Sequence, residues 1–255
     1  MRLRALVLFV LALVPVRATC GEAASACAGE LARLEAQVTA APDDLFAGAD
    51  YRQAVIRCGD GGRATRFLDA LVEHRPGAAN AWLNAGLAYV DRIPPASDLR
   101  QALLGRAAAD RLERSVALRP SWLGHHVRGF VYLFYPRVFR VSRKAVAELE
   151  AALRLQQQEP RRPCYARTYA ALGDAWYWRL DDLVRARRLW AEGLALFPDD
   201  PGLRDRVTKE GMPLRDVIRR SLNADVRIDT SLRELREPAA EPRATATEPP
   251  APRVP

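Results

Sequence analysis

From about residue 24 to residue 200, apolar side chains return at helical spacing in stretches that end at a proline or a pair of aspartates. Leu31, Leu34 and Val38 lead to Pro42, and Ala64, Leu68 and Leu71 lead to Pro76. Intervals of three and four put each set on one face of a helix. The stretches are rich in Ala, Leu and Arg and carry few β-branched runs, a composition that loses little entropy in helices. An all-α protein is predicted. The pairs Asp43-Asp44, Asp181-Asp182 and Asp199-Asp200 each precede a new stretch. There they supply acceptors and negative charge to the free N–H groups of a helix start. Their recurrence at one kind of boundary favours capping over paired catalytic carboxylates.

The pattern repeats. Trp82, Ala85-Gly86 and Tyr89 are followed by Ala108, Leu112, Ser115 and Pro120. Tyr169, Leu172-Gly173 and Trp176 are followed by Ala186, Trp190, Gly193 and Pro198, with one residue more than usual in the turn. A weaker copy has His125, Arg128-Gly129 and Tyr132 on its first helix, and Ala145, Leu149 and Ala152 on its second. This spacing resembles the tetratricopeptide repeat. The resemblance implies a right-handed superhelical stack of antiparallel helix pairs, an α-solenoid in which no repeat buries its face alone. Leu45–Cys58 pairs with the Ala64–Leu71 stretch as a further repeat, and Leu31–Val38 is the second half of one at the N-terminal edge. The repeat domain is placed at 19–212. Helices Leu214–Leu222 and Ser231–Arg236, within 213–237, are expected to cap the open end. The Pro/Ala/Glu-rich segment 238–255 is expected to be disordered.

Arg2 and Arg4 precede an apolar run from Ala5 to Val16, ending in a small-residue pattern that fits cleavage after Ala18. Residues 1–18 therefore read as a signal peptide, and the protein as exported, periplasmic or secreted. The run is shorter than the ~20 residues a membrane span needs. The whole chain of 255 residues carries a net charge of +8, which falls to +5 without the leader. Cys20 stands where a lipid anchor would attach, but Arg17 is a poor fit to the residue expected before it. Export also disfavours a nucleic-acid partner. In an oxidising compartment cysteines pair. If 27–40 and 44–58 form a hairpin about Pro42-Asp43, Cys27 and Cys58 lie equally far from the turn and face each other, so a Cys27–Cys58 disulfide is predicted.

The sequence offers no nucleophile elbow, phosphate-binding glycine loop or metal-ligand spacing. His125 and His126 are adjacent and diverge on a helix. The expectation is a non-enzymatic module, without cofactor, that binds a protein or peptide in the cell envelope. The alternative is a small-molecule-binding accessory component of a periplasmic solute uptake system. A basic surface of Arg137, Arg140, Arg143 and Lys144 also suits an anionic envelope surface.

Two binding surfaces follow from the resemblance. Positions spaced about the marker glycines share the concave face, which gives Leu83, Leu87, His126, Phe130, Arg167, Asp174 and Tyr177 as groove residues. Of the chaperone-binding carboxylate clamp only Asn84 and Arg167 remain; Ala49, Leu123 and Val127 stand at its other places. Extra residues occupy the helix-to-helix turn of two consecutive repeats, about ten in the Gly86 repeat and about four in the Gly129 repeat. Equivalent turns align along one edge of a solenoid. Tyr135, Arg137, Phe139, Arg140 and Trp178 are therefore expected on a common edge with the Arg and aromatic content of binding hot spots. The same aromatics could instead fold back as plugs over their own helices.

Overall fold

Twelve α-helices succeed one another in the computed structural model, which describes residues 20–135, 137–225 and 228–236 and has no strand among them. The expected signal peptide and Pro-rich tail lie outside the described residues, as do the side chains of Cys20 and Arg137. A first helix, α1 (Cys20–Ala40), precedes four hairpins. These are α2 (Leu45–Arg57) with α3 (Gly61–His74), and α4 (Ala79–Val90) with α5 (Asp98–Leu118). Then come α6 (Trp122–Phe134) with α7 (Ser142–Gln156), and α8 (Ala166–Asp174) with α9 (Leu183–Leu196). A shorter pair, α10 (Pro201–Thr208) and α11 (Gly211–Ser221), continues the stack, and α12 (Arg233–Arg236) is a single turn. No described helix is long and apolar enough to cross a membrane.

The aspartate pairs act as expected. In each, the second residue caps the helix that follows: Asp44 accepts from the amides of Phe46 and Ala47, Asp182 from Arg185, and Asp200 from Leu203. Between the helices the core falls into three clusters that succeed one another along the stack. Tyr51, Leu68 and Leu71 lie at its N-terminal end, Leu112, Leu133 and Leu149 in the middle, and Tyr169, Trp190 and Leu203 towards α11. The marker glycines are where paired helices come closest. A Cβ on Gly86 would lie 2.7 Å from Leu112 Cγ and 3.3 Å from the Ala108 carbonyl; one on Gly129 would lie 2.7 Å from Leu149 Cγ. On Gly173 it would enter the Trp190 indole.

Cys27 and Cys58 are joined in a disulfide, with Cα atoms 5.9 Å apart, clamping α1 to the end of α2. Closing a loop of this length contributes ~3–4 kcal/mol in the chain-entropy account. The edge repeat, covered on one side only, needs such a tie most.

Three expectations need correction. The extra residues of the Gly86 repeat form a short turn, 91–97, and two added turns at the start of α5, which reaches 21 residues. The additional residue of the Gly173 repeat sits inside the helix, as a π-helical turn over Ala175–Arg179; such a turn absorbs one residue without breaking the hydrogen-bond ladder. Of the two expected caps only α11 covers the open end, where Leu214 and Ile218 pack with Trp190 and Leu203. Its helix runs from Gly211 to Ser221, starting three residues before the expected Leu214. The 228–236 segment lies elsewhere, in the concave face.

Replacing Gly86 or Gly173 by Leu is expected to cost ~1–3 kcal/mol or more through overpacking. Gly77→Leu, at a position open to solvent with nothing within 4 Å of a Cβ, leaves stability nearly unchanged. Thermal unfolding followed by far-UV circular dichroism separates the two cases; equal melting temperatures for all three would refute close packing at the marker glycines.

Candidate functional site

The concave face is built on α2, α4, α6, α8 and α10, and the chain's own residues 228–236 cross it. Their anchor is Arg52. It stands on the buried side of α2 between Tyr51 and Ala54 and has no exposed surface. Its guanidinium donates to Asn84 Oδ1 at 3.0 Å, Asp91 Oδ2 at 2.7 Å and the Thr230 carbonyl at 2.8 Å. The Thr230 hydroxyl donates to the other oxygen of Asp91 and accepts from Gln53. Further on, Leu232 is buried in the main core, Glu234 pairs with Arg167 at 2.6 Å, and Arg236 pairs with Asp50 at 2.6 Å. Leu232 adopts φ 59°, a left-handed conformation that costs a leucine energy. Burial and the flanking ion pairs hold it there.

Beneath this strap remains a cavity of about 410 Å³. Five of the seven expected groove residues line it: Leu87, His126, Phe130, Arg167 and Asp174. Two do not. Leu83, in the first half of α4, is buried in the core within reach of the Gly124 position. Tyr177 lies in the π-helical turn, whose extra residue rotates the register, and its ring packs 6.0 Å from Trp190. Asp174 is no free groove carboxylate: Arg206 of α10 grips it through two bonds of 2.7 and 2.6 Å, and Ser221 completes the cluster. Asn84 likewise serves the fold, bridging Arg52 to the Leu45 and Asn80 carbonyls.

On α6 the rings of Trp122, His126 and Phe130 form a ladder, Trp122 against His126 at 5.2 Å and His126 against Phe130 at 6.2 Å, each pair nearly parallel. Burial, helped by the positive charge of Arg167, pulls the His126 pKa down to about 4. Its neighbour His125 turns away to Glu148 at 2.8 Å.

The expected edge residues divide. Tyr135 is half-buried and folds back, its ring 3.6 Å from a Cβ placed on Gly105 and 5.8 Å from Phe139, so it plugs the seam between the two enlarged turns. Trp178 is also half-buried and meets Arg215 of α11. Phe139 and Arg140 are exposed. Leu99, Leu103, Val138, Phe139, Leu183 and Val184 are 38–82% exposed, and all lie in the first-to-second helix turns of three consecutive repeats or in the opening turns of the second helices. They make up six of the eight large apolar side chains exposed among the described residues. Arg179 donates to the Leu133 carbonyl and so ties the third of these turns to α6.

Arg52, Asp91, Thr230 and Leu232 escaped the sequence reading. An arginine set between Tyr51 and Ala54 on a buried face was the one available signal, since so costly a charge needs partners.

No protein-family model matches the chain, and neither does any curated protein. Solved structures do. A thermophilic tetratricopeptide protein of Thermus thermophilus, TTC0263, superposes with a TM-score of 0.51 at 24% identity, over 73% of this chain and 89% of that one. The chain has the tetratricopeptide-repeat fold. MamA matches with a TM-score of 0.50 at 18% identity, over 72% of this chain and 94% of its own. This solenoid differs from an open ramp in that residues 228–236 occupy the concave face.

Because His126 resists protonation when folded, an unfolded chain with an ordinary histidine takes up the proton first as pH falls. This contribution to stability is complete above pH ~6.5 and is lost as the pH falls towards 4. Glu35 and Asp229, held below the ordinary carboxylate range by Arg63 and by the Ser231 amide respectively, act at lower pH. His126→Gln should flatten the decline in urea midpoint between pH 6.5 and 4.5; an unchanged slope would show His126 to be solvated.

Proposed function

We propose that the protein is an exported, non-enzymatic scaffold of the cell envelope that binds a protein partner through the edge formed by its helix-to-helix turns. The observation that carries this reading is the concentration of exposed apolar side chains at equivalent turns of three consecutive repeats, where the fold gives them nothing to cover. Arg140, Arg143 and Lys144 stand exposed beside them. A partner face with an apolar centre and an acidic rim complements this edge. Export is supported by the basic-apolar leader pattern and by the Cys27–Cys58 disulfide, a bond characteristic of oxidising compartments. Export also separates the protein from nucleic acid. The strap leaves the concave groove little room for a peptide.

Replacing Phe139 and Arg140 together by Ala is expected to weaken the envelope partner by ~2 kcal/mol or more while helicity is retained. Phe130→Ala, on the groove side, is expected to leave partner affinity unchanged. The readout is titration of each variant against the partner captured by the unaltered protein. Loss of affinity in the groove variant alone would move the contact to the concave face.

A further inference from the structure

We infer that the chamber between α6, α8 and the strap is a binding site for one small, uncharged, mostly apolar molecule that carries a hydrogen-bond acceptor. The inference goes beyond the scaffold reading and does not depend on it.

Size comes first. A volume of about 410 Å³ lies at the low end of small-ligand pockets, which span roughly 300–1,000 Å³. It is too small for a further length of peptide. The groups that would hold a peptide backbone are also taken: Arg52 gives its hydrogen bond to the Thr230 carbonyl, and Asp91 receives the Thr230 hydroxyl.

Polarity comes next. Leu87, Trp122, Leu123, Val127 and Phe130 form one wall, and Ile228, Leu232 and Leu235 lie on the strap side. Against the α6 wall water would find few of the two to four polar partners that a buried water needs. Two ion pairs line the chamber, Arg167 with Glu234 and Arg206 with Asp174, and Asp200, Asp229 and Arg233 add charges of both signs at its margin. A charged ligand that engaged either pair would leave a partly buried ion behind.

One donor remains. Thr168 Oγ1 accepts the Trp122 indole N–H at 2.8 Å and lies 3.3 Å from His126 Nδ1. The indole can only donate; in the tautomer we assign, the Thr168 hydroxyl in turn donates to His126 Nδ1. The imidazole proton then resides on Nε2, and no described residue accepts it. His126 lines the chamber between the flat faces of Trp122 and Phe130. The ring ladder supplies a flat apolar surface, and Nε2–H supplies the point that fixes orientation. A neutral, planar molecule with a carbonyl or ether oxygen meets both requirements.

The probe that matches this description is 6-propionyl-2-(dimethylamino)naphthalene, uncharged and planar, with a ketone acceptor and an emission that shifts to the blue in apolar surroundings. With the full chain, saturable binding of one probe per protein is expected, accompanied by the blue shift. His126→Leu should weaken it at least tenfold, and His126→Gln, which keeps a donor, should restore most of the affinity. Ala170→Phe, which fills the chamber from α8, should abolish binding. Phe139→Ser should leave it unchanged. Circular dichroism on each variant verifies that the stack is intact, and should Ala170→Phe not fold, the contrast between His126→Leu and His126→Gln decides. The inference is overturned if binding does not saturate at one probe, if His126→Leu binds as tightly as the unaltered chain, or if Phe139→Ser removes the signal.

Discussion

A guanidinium with no exposure to water must find its hydrogen bonds inside the protein, and at Arg52 those bonds determine the shape of the molecule. Asn84 and Asp91 come from the neighbouring repeat, but the third acceptor, the Thr230 carbonyl, lies 178 residues away in sequence. An uncompensated buried charge is among the most costly defects a fold can carry. Arg52 therefore makes the end of the chain part of its beginning. With Thr230 fixed, Leu232 reaches the core, and the ion pairs Arg167–Glu234 and Arg236–Asp50 seal the crossing on both sides. Exposed ion pairs of this kind contribute little each. They align a segment whose anchorage comes from buried contacts.

Closing the concave face redistributes what the solenoid can do. An open ramp offers a partner its first helices; here those helices are covered by chain or face a partly open chamber. The side chains left without cover are at the turns, where two repeats carry extra residues. The first enlargement extends α5 and sets Leu99 and Leu103 one helical turn apart. The second brings Val138 and Phe139 to the surface through the short 3-10 turn Arg137–Phe139, with Tyr135 filling the space behind. The chamber thus follows from the return of residues 228–236 to α2, and the edge from the enlarged turns.

The stack was legible in the sequence because its signals are local. Gly86 with Leu112 and Gly173 with Trp190 are neighbours in one hairpin, and Asp44, Asp182 and Asp200 cap the helices that directly follow them. The Cys27–Cys58 pairing was readable for the same reason, since both residues belong to one predicted hairpin. Tyr177 was misplaced because a π-helical turn shifts every side chain after it, and periodicity shows an extra residue without showing where the helix absorbs it. The strap was not readable. Nine residues with no repeat signature, held by Arg52 and by an Asp91 that closes α4, leave no regular spacing to find. Phe139 and Tyr135 show the same limit at the edge: both are aromatic residues of one insertion, and only packing separates the exposed ring from the plug.

The direct contact between Asp91 and the Thr230 hydroxyl allows the seating of the strap to be measured without disturbing the rest of the stack. In a double-mutant cycle of Asp91→Asn and Thr230→Val, followed by urea unfolding of the full chain, the coupling isolates this contact from other effects of either change. A buried hydrogen bond to a charged group predicts a coupling of about 1.5–3 kcal/mol. Additive effects, with coupling indistinguishable from zero, would contradict a strap held in the groove by the Arg52 cluster.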